Sequence, residues 1–133
     1  MQATAHAKVP TTPFEIIGGA PVIHAIVERF YDLMESDPAY AQLRAMHKPD
    51  LGPMRASLAD FLIAWSGGPR DWFEKRPGAC IMSAHAKFPI TPAISQQWVD
   101  AMRRSVDEHL DPRLSASMMD ALDRMATAMI RPS

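Results

Sequence analysis

The chain has 133 residues, is 47% hydrophobic and 22% charged, and sets 14 basic against 15 acidic side chains for a net charge of −1. A single core serves a chain of this length, the composition excludes wholesale disorder, and the near-neutral charge argues against an electrostatic nucleic-acid binder. Its one cysteine, Cys80, excludes an internal disulfide framework and a multi-cysteine metal site, and no apolar run reaches the ~20 residues of a membrane span.

Residues 1–12 lack the basic start and apolar stretch of a signal peptide. They read as a flexible N-terminal arm on a cytoplasmic protein, leaving residues 13–133 as one domain. The spacing then predicts a first long helix from Pro21 to Glu35 after Gly18-Gly19, with Ile23, Ile26, Val27, Phe30 and Met34 on one face. Ser36-Asp37-Pro38 ends it, a helical turn covers Ala39–Ala45, and His47-Lys48-Pro49-Asp50 breaks the chain again.

A second long helix is expected over Gly52–Trp65, where Met54, Leu58, Phe61, Leu62 and Trp65 form an apolar stripe. Gly67-Gly68-Pro69 stops it, because glycine tolerates the left-handed residue after a helix and proline cannot continue one. Residues 70–91 are the least regular: a turn at Asp71–Lys75, a loop at Arg76-Pro77-Gly78, and a short helix near Ala79–Ala86. Thr91 caps and Pro92 starts a third long helix running to about His109, with Ile94, Trp98, Met102 and Val106 inward. Asp111-Pro112 repeats the signal for a last helix to about Ile130, with Leu114, Met118, Leu122, Met125 and Met129 inward. The product is an all-α chain.

The chemistry-bearing residues are few. His6, His24, His47, His85 and His109 include no pair spaced as a metal pair on one helix face, so a zinc site is not expected. A lone histidine is ordinarily a surface or hydrogen-bonded polar residue, but it becomes decisive where a macrocycle supplies the other metal ligands. Cys80 reads as a small buried residue, and Met118, Met125 and Met129 as core. Tyr31, on the flank of an apolar face, needs a partner for its hydroxyl if buried, and a buried tryptophan needs one for its indole.

The ordered set Phe30-Tyr31, Gly67-Gly68-Pro69, His85 followed by Phe88 and Ile90, and Trp98 thirteen residues after His85 resembles the group II truncated haemoglobins, over most of the chain from Phe14 onward. The resemblance implies a truncated-globin fold, a 2-over-2 helical sandwich around haem b. It implies His85 as the iron ligand, Tyr31 and Trp98 as hydrogen-bond donors to the bound ligand, and Leu58, Phe61, Leu62, Met82, Phe88, Ile90 and Trp98 as haem contacts. Met54 falls where larger globins carry a distal histidine. At the corner before the distal helix the family often has Tyr or Phe, whereas this chain has Met46-His47. Either could face the ligand, and His47 is favoured as a third polar group. The usual basic residue before the proximal histidine is replaced by Ala84, which leaves Arg44, Lys48, Arg55 and Lys87 as candidates for the haem propionates.

The function so implied is binding of O2, and of NO, CO or peroxide, at a five-coordinate iron in a polar pocket, by a monomer or homodimer. Strong donors slow ligand release, which favours NO dioxygenation or peroxidase-type turnover with an external reductase over oxygen delivery. The alternative from another class is a cofactor-free helical interaction module in which Tyr31, His85 and Trp98 are plain core residues. Sensing is a third reading, without an attached transmitter domain.

Overall fold

The computed structural model describes residues 12–75, 85 and 88–130. Among them are seven α-helices: α1 (Pro13–Ile17), α2 (Ala20–Ser36), α3 (Ala41–Ala45), α4 (Gly52–Trp65), α5 (Asp71–Lys75), α6 (Pro92–Asp107) and α7 (Pro112–Ala128), with a 3-10 turn at Pro38–Tyr40. α2 packs on both α4 and α6, and α6 packs on α7. The two pairs, α2 with α4 and α6 with α7, form the 2-over-2 sandwich.

The starts follow from capping chemistry. Thr91 accepts from the Ile94 N–H at 3.2 Å and Asp111 from the Leu114 N–H at 3.0 Å, each followed by a proline whose missing N–H costs nothing there. The last two helices end short of the expected His109 and Ile130. Their final N–H groups turn to acceptors three residues back, His109 to Val106 and Met129 to Ala126, so each helix tightens and stops.

The spacing does not predict α1. Thr12, assigned by the sequence to the arm, is its N-cap in a reciprocal capping box with Glu15. The helix lies against the end of α4: the Phe14 N–H donates to the Ser66 carbonyl at 2.8 Å. Gly67 makes that approach possible. It sits at φ +109°, and a Cβ on it would lie 2.9 Å from the Thr12 Cβ. A Cβ on Gly68 would lie 2.8 Å from the Phe14 ring.

The core is centred on α2, whose Ile23, Ile26, Val27, Phe30 and Met34 are all buried, as the spacing predicts. α4 corrects the expected stripe. Leu62 and Phe61 are buried, but so are Ala59, Ile63 and Ala64 from other faces, while Leu58 and Trp65 are half-buried and Met54 is exposed. Leu58 and Trp65 pack at the margin of the core, and Met54 alone of the expected stripe stands open.

Polar ties fix α6 to the α2–α3 corner. The buried Tyr40 donates its hydroxyl proton to Asp100 at 2.6 Å and accepts from Arg104 at 3.0 Å, and Arg104 also reaches Asp37 at 2.9 Å. Gln97 accepts the Leu43 N–H at 3.0 Å and donates to Gln42 at 2.9 Å. Among the described residues no helix is long and apolar enough to cross a membrane.

The Gly67 corner gives a test. Gly67→Ala should destabilise the fold by about 1–3 kcal/mol, since it meets both an unfavourable φ and the Thr12 side chain. The thermal unfolding midpoint should fall, while Thr12→Gly in the same background should recover part of the loss by removing the clash.

Candidate functional site

Three side chains named by the sequence converge where α2, α6 and the corner after α3 meet. Phe30 and Tyr31 are consecutive on α2, both buried, with ring centroids 4.9 Å apart and edge-on. Trp98, half-buried on α6, meets the same Phe30 edge-on at 5.5 Å. Phe30 is therefore a wedge with a potential donor on each side. Neither the Tyr31 hydroxyl nor the Trp98 indole N–H has a hydrogen-bond partner among the described residues. A buried hydroxyl is normally paired, so the Tyr31 O–H, and the indole N–H of half-buried Trp98 with it, are available to a partner outside the described residues.

His47 closes a third side. Its ring stands edge-on to Tyr31 at 6.0 Å, and its Nδ1 lies 2.9 Å from the Leu43 carbonyl oxygen. A carbonyl only accepts, so Nδ1 carries the proton, and in the neutral ring Nε2 is left as an acceptor. The neutral ring therefore spends its one donor on Leu43, and it becomes a donor at Nε2 only when protonated. Protonation is disfavoured. Burial pushes the imidazole below its ordinary value of 6.5, opposed by the Leu43 carbonyl and reinforced by the charges of Arg44 and His85. The last of these also puts His85 within electrostatic reach of His47. Met46 is half-buried beside it.

Tyr31 is held firmly protonated. Burial pushes its hydroxyl up to about 12, against the pull of Arg55 in the other direction. Arg55 lies over the ring, 5.6 Å from its centroid.

His85 is half-buried, 6.3 Å from the Phe88 ring. Phe88 is 45% and Met54 39% exposed, and Leu58 and Ile90 are half-buried. Large apolar side chains left this open mark a surface suited to an apolar partner. Phe61 and Leu62 are placed differently: Phe61 sits in an aromatic cluster with Trp72 at 5.2 Å and Phe73 at 6.3 Å, and Leu62 is 1% exposed in the core. Met82, Cys80, Ala84 and Lys87, with the expected loop at 76–78 and all of the short helix near 79–86 except His85, lie outside the described residues.

Of the basic candidates for an anionic group, Arg44 donates to the backbone carbonyls of Lys48 and Pro49 at 3.1 and 3.0 Å, and Lys48 is exposed. Arg55 is committed elsewhere: it donates to Glu28, Asp32 and Glu35. Sequence reasoning misses this arrangement, although acids at positions 28, 32 and 35 form a row at helical spacing that calls for a cation. It also misses Gln97, which carries no motif.

Comparison with known proteins identifies the fold. The family model described as bacterial-like globin matches residues 12–131. A group II 2-on-2 haemoglobin from the plant pathogen Agrobacterium tumefaciens superposes with a TM-score of 0.90 at 31% identity, over 96% of this chain and 99% of that one. A cold-adapted truncated haemoglobin from the Antarctic marine bacterium Pseudoalteromonas haloplanktis TAC125 gives 0.88 at 31%, over 92% and 100%. The group II truncated haemoglobin of Bacillus anthracis gives 0.84 at 26%, over 92% and 98%.

The burial of His47 has a measurable consequence. Folding weakens proton binding by this ring, so it costs no stability above its ordinary value of 6.5, and stability falls as pH drops below 6.5 towards the depressed value. Imidazole NMR should give a His47 midpoint below 6.5, and His47→Phe should remove this component of the acid loss.

Proposed function

The chain belongs to the bacterial-like globin family and is a haem protein that binds ligands, and from that premise we propose that it holds O2 tightly for reaction in a pocket whose donors are Tyr31 and Trp98. The residues present fit the cofactor. The open apolar side chains Met54 and Phe88 suit a macrocycle face, His85 supplies an imidazole next to Phe88, and two donors without partners among the described residues flank Phe30. The family sets aside the cofactor-free interaction module.

Haem supplies a redox-active iron with a position for a small diatomic ligand. His85 would hold the iron through one imidazole nitrogen. Tyr31 and Trp98 would donate to the bound ligand and stabilise negative charge on it. Donors fixed by packing need no reorganisation when that charge appears. Neutral His47 presents Nε2 as an acceptor, so it orients a hydroxyl or water proton rather than adding a third donor; acid converts it to one.

The observation that carries this reading is the pair of donors on either side of Phe30 that have no partner among the described residues. A hydrogen bond to a charged group contributes about 1.5–3 kcal/mol, and each 1.4 kcal/mol is about tenfold in an equilibrium constant. Two such bonds suit retention of the ligand more than delivery. That favours chemistry on the ligand, of which NO dioxygenation and peroxidase-type turnover are the forms we propose, with electrons from an external reductase.

Trp98→Phe and Tyr31→Phe should each speed O2 release by roughly 10–100-fold, judged from those magnitudes, with little change in thermal stability. Laser photolysis or stopped-flow displacement reads the rate. An unaltered rate in both variants would remove the donors from the reading. His85→Gly should lose most of its haem and regain it with added imidazole, followed by the Soret band through gel filtration.

A further inference from the structure

We propose that Arg55 is a positioning residue for Tyr31: α2 pins its guanidinium over the phenol ring, where the positive charge strengthens the hydroxyl as a donor. The proposal rests on the reading of Tyr31 as a donor to the ligand. Arg55 stands in the first turns of α4 and reaches across to α2. Its Nη1 donates to the Glu28 backbone carbonyl at 3.2 Å and to the Glu28 carboxylate, and its Nη2 donates to Asp32 and Glu35, each at 3.0 Å. These acceptors occupy both terminal nitrogens of the fork, which holds the cation in one place and leaves it little capacity to bind a cofactor carboxylate.

The place where it is held is the face of Tyr31. With the guanidinium carbon 5.6 Å from the ring centroid, the pair is within cation–π range. The three carboxylates do not cancel the field at the ring. Their side chains are 57%, 59% and 46% exposed and so screened by water, whereas the Arg55 side chain is 19% exposed. A cation on a phenol face draws electron density from the oxygen and makes the O–H a stronger donor. Burial acts in the opposite sense, and Arg55 is the group that offsets it. A tether between α2 and α4 alone would not need the cation to lie on the aromatic face.

The tether and the effect on Tyr31 separate in a double-mutant cycle on the haem-loaded protein. Arg55→Met and Arg55→Lys are made with Tyr at 31 and with Phe at 31. The C–O stretch of the carbon monoxide complex reports donor strength in the pocket, and O2 release reports its kinetic effect. With Tyr31 present, Arg55→Met should raise the C–O stretch and speed O2 release roughly three- to tenfold, in keeping with a cation–π contribution. Arg55→Lys, which keeps the charge but not the fork, should fold and show a smaller change of the same sign.

With Phe at 31, neither Arg55 variant should move the stretch or the rate further, while the unfolding midpoint should drop equally in both backgrounds because the tether to α2 is lost in each. Equal spectral shifts with Tyr and with Phe at 31, or no shift with Tyr, would overturn the role of Arg55. Failure of the underlying reading shows elsewhere: Tyr31→Phe with Arg55 intact would then leave stretch and rate unaltered.

Discussion

The site hangs on the contact between α2 and α6 at Phe30. That ring is fully buried, and its two aromatic neighbours, Tyr31 and Trp98, are the two donors without partners among the described residues. A donor is useful only if it cannot turn away, and edge-on packing against a ring with no freedom of its own supplies that restraint. Removing a buried phenylalanine side chain typically costs about 3–5 kcal/mol, so stability and site geometry draw on the same contact.

α4 answers two demands at once. Ala59, Leu62 and Ile63 are buried in the polypeptide core, while Leu58 packs at its margin and Met54 stays open. Such a helix has no strong polar face to define its rotation. Arg55 provides a directional restraint where apolar burial provides none, because its fork meets acceptors at three positions of α2. Exposed ion pairs contribute little singly, but here one cation serves three carboxylates and an aromatic face together.

Much of this architecture is legible in the amino-acid sequence. Prolines and glycines punctuate the chain so regularly that they predict Gly52–Trp65 with its observed bounds and a turn over Asp71–Lys75 where a five-residue helix stands, and the inward face of α2 follows from spacing alone. The failures have physical reasons. A five-residue helix such as α1 has too few turns to show a period, though Thr12-Pro13-Phe14-Glu15 holds the capping signature. The α4 stripe misleads because periodicity finds apolar residues without saying what covers them. The Nδ1 proton of His47 is out of reach as well, since it depends on where the Leu43 carbonyl points. Arg55 and Gln97 act across helices, and no spacing within one helix reveals such a pairing.

The Leu43 peptide is the meeting point of two sides of the pocket. Its N–H is held by Gln97, next to Trp98 on α6, and its carbonyl holds His47. Trp98 and His47 are thereby joined through one short, hydrogen-bonded stretch of backbone, and Tyr40 and Arg104 brace the same junction. The two walls cannot yield separately. A guest wide enough to push the indole outward would have to drag the corner after α3 with it, breaking several hydrogen bonds for the sake of one. The indole and the imidazole are thus coupled through a single peptide, so that a displacement of either wall is opposed by hydrogen bonds that belong to the other.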